Sequence, residues 1–320
     1  MIYLDSAATT LQKPPEVARA AANAMRRMAS PGRGGYPAAM AAADTIFACR
    51  EAAARLFHVP EPDQVVLTMN ATHGLNLAIK TLAAPGNTVL ISGYEHNAVT
   101  RPLAAIPGVM VKVADAPLFR PEAMVERFRE LLTPEVACVV CTHVSNVFGY
   151  VLPVREISEL CRQRGIPFVL DASQSAGTIP VHMDELGVDF IAMPGHKGLY
   201  GPQGTGLLLC AKPAEPLLEG GTGSLSVLQT MPDFLPDRLE AGTHNVPGAA
   251  GLLEGLRYVQ RTGPARILEH ERRLAAQCAR DLARLNGVTV WSAPRLAHQA
   301  GALSFRVEGI DCEDVGSQLG

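Results

Sequence analysis

Apolar positions in this chain follow two alternating periods. Short runs of strand length occur at VVLT (65–68), TVLIS (88–92), GVMVKV (108–113), ACVVCTHV (137–144), PFVLDAS (167–173), DFIAM (189–193) and TGLLLC (205–210). Between several of them lie helix-period patterns, at ATHGLNLAIKTLA (71–83), PEAMVERFRELL (121–132) and VREISELCRQRG (154–165). Apolar β-rich runs bounded by turns and alternating with amphipathic helices predict an α/β fold, a mostly parallel seven-stranded sheet covered by helices on both faces.

Two alanine-rich helices, over 14–29 and 37–57, precede the sheet. Each has proline in its first turn, where the missing N–H costs nothing. They are joined by SPGRGGY (30–36), a loop carrying Arg33. After residue 246 the pattern changes: helical stretches at 246–262 and 264–286 lead to the strand-like GVTVWS and GALSFRV, and DCEDVGSQLG begins one more helix. The expected division is a large domain over 1–245, opened by a helical segment over 1–60, and a smaller α+β domain over 246–320. Two strands and an opening helix make that second domain look incomplete.

Composition narrows the class. Apolar residues make up 48% and charged residues 18%, with a net charge of −3, as in an ordinary soluble globular protein. No basic block offers a footprint for nucleic acid or anionic lipid. The start, MIYLDSAATT, has no signal-peptide core, and every apolar run is interrupted well short of a membrane span. Seven cysteines, an odd number scattered over the chain, point to a reducing, cytoplasmic compartment rather than a disulfide scaffold. Cys138 and Cys141 have CxxC spacing, but strand period turns them to opposite faces, and no second pair completes a metal site. They are expected in the core, and no metal is expected.

In parallel sheets a ligand sits beyond the carboxyl ends of the strands. That edge collects Ala71, Thr72 and His73, then Glu95, His96 and Asn97, then Asn146 and Gly149, then Asp171 and Gln174, and finally His196 and Lys197. Singly each is ordinary: Thr72 can begin a helix, Asn146 can make a turn, and Lys197 can be a surface lysine. Together they suit pyridoxal 5′-phosphate. Its aldehyde needs a lysine, and its ring nitrogen needs an acid to stay protonated; Lys197 and Asp171 supply them. His96 would stack on the ring and Gln174 would bond its hydroxyl. Free amides at Ala71–Thr72, with Thr72 and His196, would hold the phosphate. Gly195 and Gly198 are expected to let the backbone approach the cofactor and leave the amine room to move. The GLYGPQGTG stretch lacks the Gly-Lys-Ser/Thr ending of a nucleotide-binding P-loop.

The segments YLDSAATT (3–10), LTMNATHGLNLAIK (67–80), YEHNAV (94–99), SNVFG (145–149), LDASQSAG (170–177), PGHKGLYGPQGTG (194–206) and LEAGTHN (239–245) resemble the class V aminotransferases. Among these the resemblance is to the cysteine desulfurase and selenocysteine lyase branch, and it runs through the whole chain. It implies a fold-type I pyridoxal-phosphate enzyme, Lys197 as the Schiff-base lysine, Asp171 beside the pyridinium and Gln174 at the ring oxygen. It further implies that His96 is stacked and able to relay protons, Asn146 lies near the substrate carboxylate, and Thr72 and His196 contact the phosphate. Thr243 would reach the phosphate of a neighbouring subunit, so a homodimer is implied.

The resemblance makes cysteine or selenocysteine the substrate, with sulfur passed to a protein thiol, an acceptor protein, and on to iron–sulfur cluster assembly. Selenocysteine lyase, aminotransferase, β-eliminating lyase and a truncated non-catalytic product stay open as alternatives. Two departures stand out. Pro194 replaces a serine that many relatives have, so one phosphate hydroxyl is expected to be missing. The family's nucleophilic cysteine and its carboxylate-gripping arginine lie beyond the helix that DCEDVGSQLG begins, and Cys312 does not match that nucleophile. This 320-residue chain is therefore expected to bind the cofactor weakly or not at all and to yield little persulfide by itself.

Overall fold

Helices α1 (Pro15–Arg27) and α2 (Pro37–Phe57) both start on a proline, whose fixed φ suits the first helical turn. The structure, a computed structural model, describes residues 2–32 and 34–320; Arg33 in the connecting loop lies outside the described residues. The chain then runs through β1 (Val65–Thr68), α3 (Ala71–Leu82), β2 (Thr88–Ser92), α4 (Asn97–Ala104), β3 (Met110–Ala114), α5 (Pro121–Leu131) and β4 (Val136–Thr142). Next come α6 (Val154–Gln163), β5 (Phe168–Asp171), α7 (Met183–Leu186), β6 (Phe190–Pro194) and β7 (Gly206–Cys210). The last elements are α8 (Val246–Thr262), α9 (Pro264–Leu282), β8 (Val288–Trp291), β9 (Ser304–Val307) and α10 (Cys312–Leu319).

Seven strands form one sheet in the order β1-β7-β6-β5-β4-β2-β3. All neighbours pair parallel except β7, which runs antiparallel to both β1 and β6. This is the expected mostly parallel seven-stranded sheet. Strand alternation sends successive side chains to two separate cores. Val139, Cys141, Leu170, Ile191 and Met193 face α2, α5, α6 and α8. Cys138, Val140, Val169, Phe190 and Ala192 face α3 and α4. The two CxxC thiols thus lie on opposite faces, each fully buried.

Helix α8 follows the change of pattern at residue 246, yet Val246, Ala249, Leu252 and Leu256 lie in the same core as α2 and the sheet. Its small residues permit close approach: a Cβ on Gly255 would lie 2.1 Å from the Leu199 carbonyl oxygen. Beyond α8, β8 and β9 pair antiparallel in a separate two-stranded sheet. Helix α4 carries Pro102 inside it, a residue that ordinarily interrupts a helix, and its short span gave no helix-length pattern. No helix among the described residues is long and apolar enough to cross a membrane.

Candidate active site

The carboxyl ends of β2, β4, β5 and β6 each lead into a turn that bears candidate site residues. Asp171 is the last residue of β5 and only 2% exposed. Its Cα partner on β4 is Thr142 and on β6 is Ala192, so it sits in mid-sheet. Its Oδ1 accepts the Ser173 N–H at 2.9 Å. Burial pushes its carboxyl upward; the Ser173 bonds and the charges of Lys197 and His96 pull it back without cancelling the shift.

Lys197 lies three residues past β6, in the turn that follows it. Burial lowers its amine below the ordinary lysine value, and Asp171 partly restores it. Each charge bears on the other's ionisation, although neither takes the other as a salt-bridge partner. A buried carboxyl with a single hydrogen-bond donor is what a protonated ring nitrogen would complete, and a half-desolvated amine is what an aldehyde would capture.

His96 caps α4. Its Nδ1 accepts the Ala98 N–H at 3.0 Å, which leaves the proton of the neutral ring on Nε2. The ring is exposed, open to stacking by a planar ligand. Gln174 donates one Nε2 hydrogen to the Ala7 carbonyl at 2.9 Å, which leaves its Oε1 and a second N–H to meet a ligand.

At the other end of the candidate site, α3 begins after Asn70, whose side chain accepts the His73 N–H at 2.9 Å. The cap is Asn70 rather than Thr72. That bond consumes one of the free amides and leaves those of Ala71 and Thr72 for an anion, with the exposed Thr72 hydroxyl beside them. His196 places Nδ1 3.0 Å from Thr9 Oγ1. Burial, then Lys197 and Lys13, lower its imidazole value. A neutral His196 can donate from only one ring nitrogen at a time. Asn146 and Thr243 are exposed. Pro194 is buried at the end of β6, opposite Gly206.

The glycines beside the lysine are required by the packing of the chain on itself. A Cβ on Gly195 would fall 2.1 Å from Thr205 Oγ1, and one on Gly198 would fall 2.3 Å from the Ala176 carbonyl oxygen. Gly195 packs against the residue before β7, and Gly198 lies where the turn after β5 crosses the turn after β6.

Sequence reasoning passed over two contributors. The segment before α1 is stitched to the lysine turn: Thr10 N–H donates to the His196 carbonyl at 3.0 Å, and Thr10 Oγ1 donates to the Lys197 carbonyl at 2.9 Å. Lys13, nearby, adds a half-buried cation whose value burial lowers. The second is Glu95, collected with His96 but given no role. Its Oε1 accepts from Ser92 Oγ and from the Thr142 N–H.

One further cluster, His58, His182 and Glu185, has the composition of a metal site. The two imidazoles stack with centroids 3.7 Å apart and planes 6° from parallel. Their in-plane lone pairs therefore run side by side and do not converge on one ion.

The Aminotransferase class-V family profile matches residues 2–320. A probable cysteine desulfurase of Xylella fastidiosa is 34% identical over 334 residues, which span 100% of this chain and 79% of that protein. The solved apo structure of cysteine desulfurase from Thermococcus onnurineus is 29% identical with a TM-score of 0.88, covering 99% of this chain and 82% of that one. A C-DES mutant with glycine covalently linked to its PLP cofactor is 25% identical with a TM-score of 0.84, covering 99% and 86%.

Proposed function

Since this chain belongs to the class-V aminotransferase family, we propose that it is a pyridoxal-phosphate-dependent cysteine desulfurase. It would take sulfur from L-cysteine, leave L-alanine and pass the sulfur to a protein thiol. The supporting observation is that Asp171 and Lys197 stand at the carboxyl ends of the neighbouring strands β5 and β6, in a chain whose relatives carry that name.

Pyridoxal phosphate, when bound, supplies an electron sink for charge developing at the substrate α-carbon. The protein residues do the rest. Lys197 would hold the cofactor aldehyde and, with its value lowered by burial, would provide a neutral amine fraction to take the α-proton. Asp171 holds the proton on the ring nitrogen. His96 covers the ring face, fixed by its bond from Ala98. Gln174 would meet the ring hydroxyl, the α3 amides with Thr72 and His196 would hold the phosphate, and Asn146 would lie near the substrate carboxylate. Thr243 reaches the phosphate of a second copy, making the working unit a homodimer. All these residues precede 246, so the proposed cofactor chemistry would belong to the 1–245 portion.

Sulfur transfer balances without an external oxidant. An acceptor thiolate bonds to the substrate sulfur as the Cβ–Sγ bond breaks, and a proton replaces sulfur on Cβ. We assign none of the seven cysteines as acceptor: five are buried, and Cys278 and Cys312 are exposed with no link to the site. A yellow protein bleached by borohydride, with the reduced adduct on the Lys197 peptide and alanine formed from L-cysteine in the presence of an added thiol, is the expected result. An adduct on another lysine, or loaded protein that forms no alanine, overturns the assignment.

A further inference from the structure

Glu95 Oε2 is a buried oxygen with no hydrogen-bond partner. It belongs to a carboxyl that crosses from the turn after β2 to the end of β4. There Oε1 accepts the Thr142 N–H at 2.8 Å as well as the Ser92 hydroxyl. Thr142 is the strand partner of Asp171, and the residue after Glu95 is His96, the cap of α4. One side chain therefore fastens the His96 turn to the strand beside the acid expected to hold the ring nitrogen.

The titratable groups facing Glu95 are Asp171 on β5 and Cys141 on β4, both acidic or neutral; among the described residues no cation pairs with it. A carboxylate accepts hydrogen bonds at both oxygens, whereas a carboxylic acid keeps a proton on one. The arrangement, two donors on Oε1 and none on Oε2, fits the second form. Burial, chiefly, and the nearby Asp171 push the group up to about 8, against the partial relief from Ser92 and Thr142.

We propose that Glu95 is a positioning residue of the cofactor site, held as a neutral carboxylic acid that pins the His96 turn to β4 and leaves Asp171 as the one buried negative charge there. This rests on the reading of Asp171 and His96 given above. Two adjacent carboxylates without a counter-cation cannot both ionise cheaply; a neutral Glu95 gives the anion to Asp171, the member next to Lys197.

The test compares wild type with Glu95→Gln, whose amide keeps the acceptor and cannot ionise. An acid whose folded value lies above its unfolded value loses stability as pH rises between the two. The ratio of the wild-type to the Glu95→Gln unfolding constant, from denaturant titrations, is therefore expected to grow about tenfold per pH unit between about pH 6.5 and 8. Parallel curves overturn the proposal, because they mean that Glu95 does not carry a proton over that range. Glu95→Ala releases the turn, and the visible circular dichroism of bound pyridoxal phosphate is expected to collapse in Glu95→Ala and persist in Glu95→Gln. Equal signals in the two variants also overturn it. The unfolding comparison needs no cofactor, so it stands or falls separately from the borohydride test of Lys197.

Discussion

Two regions of this protein bury carboxylates, and they treat them in opposite ways. Near the start of β1, Glu240 is 8% exposed and carries every partner a carboxylate can use. Arg50 grips both of its oxygens, the Leu67 N–H donates to Oε1, and His244 Nε2 lies 2.6 Å from Oε2. Burial opposes its ionisation, yet Arg50 and His244 overcome that and hold it below its ordinary value. At the carboxyl edge, the buried Asp171 and the half-buried Glu95 have backbone and hydroxyl donors only, and both are shifted upward. A closed network fixes structure; a carboxyl left short of partners keeps capacity for a ligand.

The sharpest break in that contrast comes at Lys197. Lys197→Ala should abolish the borohydride-fixed adduct altogether while leaving the Arg50–Glu240 network intact, read by peptide mass spectrometry and by an unchanged far-ultraviolet spectrum. Asp171→Asn comes next: removing one preorganised charge should slow α-proton exchange of bound amino acid by about 100- to 1,000-fold, measured by deuterium incorporation.

On the structural side, Arg50→Met leaves Glu240 as a buried charge without its main partner and should cost about 3–5 kcal/mol of stability in urea unfolding. Adding Glu240→Met to it should recover a substantial part, since replacing both members removes the uncompensated charge. If the single and double variants are equally stable, the network is not what holds this region.

A smaller effect separates the acid from the alkaline side. His143, buried next to Thr142 with Nδ1 unpartnered, is pushed down to about 4 by burial. Its unfolded form takes a proton below about 6.5 while the folded form does not, so its share of stability falls as pH drops from there. His143→Gln should remove about tenfold per pH unit from that acid dependence between about 4.5 and 6. Glu95 has the opposite sign over the same window, so the wild type should show a shallow pH dependence there that steepens once either residue is replaced. Least of all, Cys278→Ser should change stability by under about 0.5 kcal/mol while removing one of two fast-reacting thiols, since the other five are buried.

Much of this was legible beforehand because period and turn chemistry are local. The 37–57 helix has the bounds its pattern implied, and the sheet strands fall within about two residues of theirs, as boundaries do. Asp171, Lys197 and His96 were gathered because a single rule about strand ends applies to each of them separately. What the reading left out was decided by distant contacts. Gly198 answers to the Ala176 carbonyl, and Glu95 to an amide 47 positions away.

By itself, then, the sequence determined which segments are helix or strand, which side chains face the two cores and which stand at the carboxyl edge. Each of these follows from backbone geometry over a few residues. The tertiary structure alone decided that β7 runs against its neighbours, that Thr9 meets His196 across 187 positions, and that Glu240 is paired while Glu95 is not. Those outcomes depend on which chain segments become neighbours after folding, and a period of two or 3.6 residues carries no record of that.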